Sequence, residues 1–412
     1  MFNKILDKFY KPFPYKHIMK ICFLSTSFPR FNDDWVLPSL NVEARELSKC
    51  KGNNVIVISS AGTDTKKFEL RGKVKIYRFS YFIKKYQTLT YTGGLSTSFE
   101  KGIIYKLKSI PFMCSFMLNT LKYGRKCDII HSHWTPSAFA AIPLKIIYKK
   151  PIIVSLLGAD VRLLPRWLNK FILRYCDGII SPVPIFNKYL KDLGVTKKIY
   201  DIKHCYDYDK FDKKDNTSNF KKEFNLKNER IVTFLGRMDN FKDPITFVKS
   251  IPYVLKKIKD IKFFIVGYGF LLEDVKKLVK KLKLEKSVII TGPRKDVNII
   301  LESSDIFVNL SPDENYFSVA IQESMAKKTP CLLTNAGKTE ETFTHKENAY
   351  LVNPKDPKKT AEGIIEILTN KKLKERLSEN GIKLLKKHKY TKNDIIDRLN
   401  SAYQELITAQ KK

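Results

Sequence analysis

Short apolar runs rich in β-branched and aromatic residues recur along this chain, separated by stretches whose apolar positions fall at helical spacing. Ile21–Ser25, Asn54–Ile58, Val74–Phe79, Asp128–Trp134, Pro151–Leu157 and Gly178–Ser181 read as strands in the first half. Ile231–Leu235, Lys262–Val266, Val288–Gly292, Ile306–Leu310 and Pro330–Thr334 restart the rhythm in the second. Between them, Leu40, Ala44 and Leu47 share one helical face, and a helix opens at Ser318. Ala361–Leu368 and Ile395–Ile407 are amphipathic helices near the end. Strands buried on both faces read as near-continuous apolar runs, as these do, so the sheets are parallel. Two successive sets of alternating strands and helices predict an α/β protein with two doubly wound, Rossmann-like domains facing a cleft.

The expected boundaries are 19–200 and 201–390, with a basic extension at 1–18 and a helix at 391–412 packing back on the first domain. Asp201–Lys227, rich in Lys, Asp and Asn, reads as the connection. Residues 80–126 fit the rhythm less well. They mix Tyr, Phe and Lys, with Phe112, Met113, Phe116, Met117 and Leu118 after Ile110–Pro111. Two readings stand side by side: helices that bind a lipid surface, or an ordinary helix pair packed on the sheet.

Composition narrows the class. The chain has 412 residues, 43% hydrophobic and 12% aromatic, enough for two large cores. Its seven cysteines are scattered without metal-ligand spacing, which fits a reduced cytosol and argues against a disulfide framework or structural zinc site. No apolar run reaches the roughly 18–20 residues needed to span a bilayer. Residues 1–18 lack the apolar core and small-residue site of a secretory signal. The net charge of +34, from 76 basic and 42 acidic side chains, favours an anionic partner: phosphorylated substrate, acidic lipid or nucleic acid. The lysines are spread along the chain, and no zinc finger, aromatic RNA-binding signature or concentrated basic arm accompanies them.

Candidate chemistry lies where strands end. At 305–326 an apolar strand is broken by Ser311-Pro312-Asp313-Glu314-Asn315, and a helix follows. That order aims free backbone N–H groups and the positive end of a helix dipole at an anion, with Glu323 in the second turn to take a hydroxyl beside it. An i,i+4 pair of Glu323 with Lys327 is the plainer alternative, worth only about 0.3 kcal/mol. Strand Ile231–Leu235 runs into Gly236-Arg237, with Lys242 beyond. The glycine lets backbone approach a ligand, while guanidinium and ammonium can grip a diphosphate. Gly267-Tyr268-Gly269 lacks the third glycine of a dinucleotide fingerprint and reads as a tight turn. His131-Ser132-His133-Trp134 ends a strand, making His133 a candidate for acceptor contact or proton transfer, with Trp134 beside it.

Taken together, these motifs resemble the retaining glycosyltransferases of family 4, over nearly the whole chain from Met19. Gly236-Arg237 with Lys242 looks like that family's donor-phosphate pair. Glu323 matches the second Glu of its signature, and Asn315 falls on the first, with Glu314 one residue early. Phe28-Pro29-Arg30, Tyr91-Thr92-Gly93-Gly94 and the His-Ser-His-Trp segment are similar to its acceptor-half motifs. The resemblance implies a GT-B fold, nucleoside-diphosphate sugars as donors, retention of anomeric configuration, and no metal or cofactor. It assigns Gly236, Arg237, Lys242, Arg294, Asn315, Phe317, Ser318, Val319 and Glu323 to donor binding, with Glu323 on the nucleotide ribose. Asp34, Tyr91, His133, Trp134 and Asp160 are assigned to the acceptor. Arg237, Lys242, Asn315, Glu323 and His133 would carry catalysis. Three positions depart from the family pattern: Leu157 where a His often precedes Gly-x-Asp, neutral Asn315 for a carboxylate, and Ser318 for a Gly.

The implied reaction moves a hexose to a glycan or lipid-linked acceptor, in the cytoplasm or on the inner membrane face, as in polysaccharide or glycolipid synthesis. A nucleotide-sugar epimerase, a silent sugar-nucleotide binder and a basic nucleic-acid-binding protein share parts of the pattern. Turnover without acceptor distinguishes the epimerase, and steep salt-dependent binding to random oligonucleotides the nucleic-acid binder.

Overall fold

A computed structural model describes residues 18–410 apart from 33, 35, 51, 92–94, 96–102, 157–163, 183, 204–210, 212, 313–316, 338 and 388–391. Two sheets organise it. The first has eight strands in the order β3 (Phe68–Arg71), β4 (Val74–Phe79), β2 (Asn54–Ser60), β1 (Lys20–Ser25), β5 (Ile129–His133), β6 (Ile152–Ser155), β7 (Gly178–Ile180) and β8 (Lys198–Tyr200). The second has six, in the order β11 (Val288–Gly292), β10 (Ile261–Val266), β9 (Arg230–Leu235), β12 (Ile306–Asn309), β13 (Cys331–Thr334) and β14 (Tyr350–Val352). All the ladders are parallel except β3 (Phe68–Arg71) against β4 (Val74–Phe79). The chain is an α/β protein with two Rossmann-like domains.

The apolar strand runs predicted above form, with ends shifted by one or two residues. In β1 (Lys20–Ser25), Cys22 and Leu24 face one core while Ile21 and Phe23 face another. The period-two alternation of a strand thus buries both faces. The first core lies under three helices: α2 (Ile103–Gly124), α3 (Thr135–Tyr148) and α4 (Arg166–Arg174). The second lies under α1 (Pro38–Lys49) and the last helix, α13 (Lys392–Ala409). Ile395, Ile396, Leu399, Ala402, Tyr403 and Leu406 of α13 pack on the first sheet, although the helix follows the second domain in sequence. Asn53 donates to Asn400 at 3.0 Å, and Lys198 pairs with Glu405 at 2.5 Å, along the same seam.

Three features depart from the sequence expectation. Residues 103–124 form one helix through Pro111, where a pair was one of the readings. Proline's missing N–H leaves the carbonyl one turn back, at Leu107, without its helical donor, and Leu107 lies on the exposed side where water serves. The short strands β3, β8 (Lys198–Tyr200) and β14 (Tyr350–Val352) are too brief for a periodicity signal. A helix at Lys371–Lys387 was also missed, because lysines outnumber its buried Leu373, Leu377 and Leu385.

In the second sheet the chain runs outward from β9 (Arg230–Leu235) through β10 (Ile261–Val266) to β11 (Val288–Gly292). It then returns to lay β12 (Ile306–Asn309) on the other side of β9. Connections on the two sides therefore diverge between β9 and β12. This is the topological switch point, where open α/β sheets leave a crevice at their carboxyl ends.

Candidate active site

Of the residues expected on the donor, Gly236, Arg237 and Lys242 lie at that switch point, with Phe317, Ser318, Val319 and Glu323 in the segment that follows β12. β9 and β12 are in register, with Val308 opposite Phe234, so both strands end level. Gly236 and Arg237 leave β9, while Ser311 leaves β12. Lys242 bridges the two loops, its Nζ donating to Ser311 Oγ at 3.1 Å. Ser311 Oγ in turn donates to Asn309 Oδ1 at 3.1 Å, and Thr334 Oγ1 donates to the Ser311 carbonyl. The lysine is thereby aimed by groups from β12 and from β13 (Cys331–Thr334).

Arg237 is half-exposed, with 42% of its side chain open to solvent. Its Nη2 lies 2.9 Å from Oδ2 of buried Asp239, and its guanidinium sits 6.0 Å from the Phe241 ring centroid. Asp239 also accepts from the Phe241 N–H at 3.1 Å. Sequence reasoning missed Asp239; a carboxylate two residues beyond the arginine, in a turn, was the available signal. It orients the guanidinium and leaves other N–H donors for a ligand.

The glycines of the neighbouring turn have a packing role. Gly267 has φ +140°, and a Cβ there would stand 1.9 Å from the Gly236 carbonyl oxygen; at Gly269 it would stand 2.3 Å from the Met238 carbonyl. Met238 N–H donates to the Tyr268 carbonyl at 2.7 Å, so the β10 turn supports the Arg237 loop from beneath. The turn reading of Gly-Tyr-Gly stands, and its tightness fixes the loop.

Helix α10 (Val319–Ala326) begins beyond β12 with Ser318 as its extended N-cap residue. No side-chain cap bond engages its first N–H groups, and the buried Ser318 Oγ has no hydrogen-bond partner. Gln322 Nε2 donates to the Phe317 carbonyl at 2.7 Å, and the Phe317 ring lies 5.7 Å from that of Phe343. Glu323 is partly buried in the second turn. The ammonium of Lys327, its i+4 neighbour, is held by Asp215 at 2.7 Å and Glu302 at 3.1 Å. Asn315 lies outside the described residues, as does Asp160.

Arg294, expected on the donor, is engaged by carboxylates of the chain itself. Its guanidinium forks between Glu223 (Nη1 2.5 Å, Nη2 2.8 Å) and Asp296 (Nε 2.8 Å, Nη2 2.7 Å), and it stacks on Phe224. With its donors engaged, it clamps the loop after β11 to helix α6 (Ser218–Glu223).

The acceptor-side residues also turn inward. Asp34 is buried, accepting from Arg30 Nε and Arg30 N–H at 2.8 Å each and from Arg30 Nη2 at 3.0 Å. Burial alone would raise its pKa, but the bonds from Arg30 outweigh that and hold the carboxyl below its ordinary value. The Tyr91 hydroxyl accepts from Arg78 at 2.9 Å and donates to the Phe28 carbonyl at 2.9 Å. Arg78, a buried residue that sequence reasoning passed over, donates to the carbonyls of Phe28 and Pro29. Asp34 and Tyr91 thus brace the loop after β1. Trp134 is 8% exposed and lies in the core under α3. Its carbonyl accepts the Ser137 and Ala138 N–H groups at that helix's start.

His133, expected to reach the acceptor, is 1% exposed and sits under α1 and α13. The reason is register: His131 and His133, two apart on β5 (Ile129–His133), share the face that α1 and α13 cover. His133 Nε2 is 3.8 Å from Glu43 Oε1, and its ring centroid is 4.5 Å from that of Phe23. His131 Nδ1 bonds Tyr403 OH at 2.6 Å and its Nε2 bonds Ser155 Oγ at 2.7 Å. Glu43, His131 and His133 bring potential metal-ligand atoms within 4.8 Å of one another. Both His131 nitrogens are already engaged, while Glu43 Oε1 stands 3.6 Å from His131 Nδ1 and 3.8 Å from His133 Nε2, so the group is a buried polar cluster.

Burial pushes the Glu43 carboxyl up to about 8 and the His131 imidazole down to about 3. Glu43 therefore stabilises the fold fully below its unfolded value of 4.5, and that stability is lost as pH rises through about 8. His131 works oppositely, losing its contribution as pH falls from 6.5 toward about 3. Of the two, only Glu43 sets a slope from pH 6.5 to 8. The Tm of the wild type is expected to fall across that window, and Glu43→Gln to flatten the fall. An equal slope in both proteins refutes the assignment.

Residues 215–384 match the family described as glycosyl transferases group 1. N-acetyl-alpha-D-glucosaminyl L-malate synthase of Bacillus anthracis is 25% identical over 295 residues, 69% of this chain and 76% of the relative. The UDP-Gal:alpha-D-GlcNAc-diphosphoundecaprenol alpha-1,3-galactosyltransferase of Escherichia coli is 26% identical over 267 residues, 60% of this chain and 68% of the relative. Among solved structures, Anabaena Alr3699/HepE in complex with UDP and glucose superposes with TM-score 0.72 at 14% identity, covering 94% of this chain and 100% of that one. Residues 215–384 are therefore a glycosyl transferases group 1 module, and the chain is a glycosyltransferase of GT-B architecture.

Proposed function

We propose that this chain transfers a hexose from a nucleoside-diphosphate sugar to a glycan or lipid-linked acceptor, retaining the anomeric configuration and without a metal ion or other cofactor. The observation that carries the reading is the pair of cations at the switch point of the second sheet. Lys242 is aimed by Ser311 and Arg237 by Asp239, beside the start of α10. Breaking a glycosyl–phosphate bond leaves an oxocarbenium-like sugar and an anionic diphosphate. Fixed cations and helix N–H groups aimed at that anion favour the transition state over the ground state. In this reading Glu323 takes the nucleotide ribose and Phe317 to Val319 line the phosphate side. The acceptor hydroxyl attacks from the face the leaving group departs.

The relatives are named for different acceptors, one for L-malate and one for a diphosphoundecaprenol-linked sugar, and the structural neighbour holds UDP and glucose. The galactosyltransferase and the UDP complex support a uridine nucleotide donor, and the galactosyltransferase a lipid-linked acceptor. The test is to incubate the protein with UDP-sugars and acceptors in EDTA and read the product anomer by NMR. The α-linked product from an α-donor is expected with undiminished rate. An inverted product, a trapped sugar–protein adduct or loss of rate in EDTA would each overturn part of the reading.

A further inference from the structure

On the outer side of the first core, helix α2 has an apolar stripe that none of the described residues covers. Ile103, Leu107, Ile110 and Leu118 recur at spacings of four, three and eight, on the side opposite buried Phe112, Phe116 and Thr120. Ile103 is 73% exposed and Leu118 66%. The connection from β4 to α2 extends the patch with exposed Phe82 and Ile83, just before the turn Lys84–Tyr86. Lys108 ties the two segments, its Nζ lying 5.0 Å from the Tyr105 ring centroid and 5.9 Å from that of Tyr86. Further along the same helical layer, α4 leaves Trp167 and Phe171 exposed. By contrast, Phe241, Tyr253 and Phe270 are the exposed large apolar residues among those described in 215–384.

Charge names the occupant. Helices α2, α3 and α4 contain no acidic residue, and residues 80–174 hold fifteen basic side chains against three acidic ones. Lys84, Lys85, Lys106, Lys122, Arg166 and Lys170 are exposed around the apolar side chains. A second copy seated on this face would set lysines against lysines, which costs binding energy. An anionic bilayer matches both features, since it accepts the apolar side chains below its headgroups and attracts the cations to them. Among the described residues no helix is long and apolar enough to cross a membrane.

We infer that the outer face of α2 and its preceding connection, flanked by α4, docks the protein on an anionic membrane. Crossover helices run antiparallel to their strands, so the first turn of α2 and Trp167 of α4 lie toward the carboxyl end of the first sheet. This deepens the acceptor reading above and rests on it for one point only, that a lipid-linked acceptor reaches the protein from that bilayer.

The test is co-sedimentation of the full chain with phosphatidylcholine vesicles, with and without one-third phosphatidylglycerol. Wild type is expected to partition at least about tenfold more strongly onto the anionic vesicles. Ile103→Ser/Leu107→Ser/Ile110→Ser and Lys84→Glu/Lys106→Glu each alter exposed side chains, and each is expected to lower partition about tenfold or more. Lys277→Glu/Lys280→Glu, on exposed positions of the second domain, should leave it within about twofold. Equal loss in that control would overturn the assignment in favour of diffuse charge. Unchanged partition in the serine variant, with a wild-type dimer converted to monomer, would make the face a copy interface. UDP-glucose and UDP-N-acetylglucosamine melting shifts, measured on the same proteins, separate the readings. Vesicle binding without any nucleotide-sugar shift would remove the donor assignment and leave the membrane face standing.

Discussion

Replacing Arg237 by Ala is expected to lower kcat/KM for sugar transfer by about a hundred- to a thousand-fold, the effect of removing one well-placed electrostatic donor. The guanidinium is half-exposed at the end of β9, held from one side by Asp239, and leaves other N–H donors for a diphosphate. The rise in Tm that a nucleoside-diphosphate sugar produces by mass action should vanish in the same variant. Lys242→Ala should act in the same direction. It also removes the link to Ser311 between the two loops, so some loss of stability accompanies it. Glu323→Ala should raise the donor KM more than it lowers kcat, because a ribose contact is made equally in ground and transition states. A donor-induced Tm rise of wild-type size in Arg237→Ala would remove the phosphate site from β9.

The second large effect is on stability and concerns the last helix. Tyr403 is fully buried and its hydroxyl bonds His131 Nδ1 at 2.6 Å. Truncating a buried aromatic side chain costs about 3–5 kcal/mol, and orphaning a buried polar partner adds roughly 1–3 kcal/mol. Tyr403→Ala should therefore cost at least about 4 kcal/mol, against roughly 1–2 kcal/mol for Tyr403→Phe, which keeps the ring. All three tryptophans, Trp35, Trp134 and Trp167, lie in the first half of the chain. Their fluorescence during urea unfolding reports that domain, where the midpoint should fall. An unchanged midpoint would mean that α13 does not brace the first sheet.

The same two sites show how far a linear reading reaches. The apolar runs that became strands were legible because a parallel strand is buried on both faces, so its sequence is apolar almost throughout. Gly236, Arg237, Lys242 and the segment ahead of Glu323 were legible because strand, turn and helix start are local events, encoded within a few residues. Asp239 was within reach of the same reasoning, two residues after the arginine it orients. The polar residues of the first half show what a linear reading leaves out. Asp34, Tyr91, His133 and Trp134 sit in motifs that look like acceptor contacts, but a polar residue in a loop looks the same whether it faces solvent or a distant buried partner. Arg294 is the parallel case in the second half, with Glu223 some seventy residues away.

By itself the sequence determined the α/β rhythm, the positions of most strands, the Gly-Arg-Lys group and the strong positive charge, all of which depend on neighbours in the chain. Only the tertiary structure decided which crevice those cations occupy, because the switch point exists only once β12 returns to the far side of β9. It also decided that the imidazoles of β5 lie beneath a helix that begins at residue 392, and that none of the described residues covers the apolar stripe of α2. Burial is a sum over partners far apart in sequence, and no local pattern records which of them will be present.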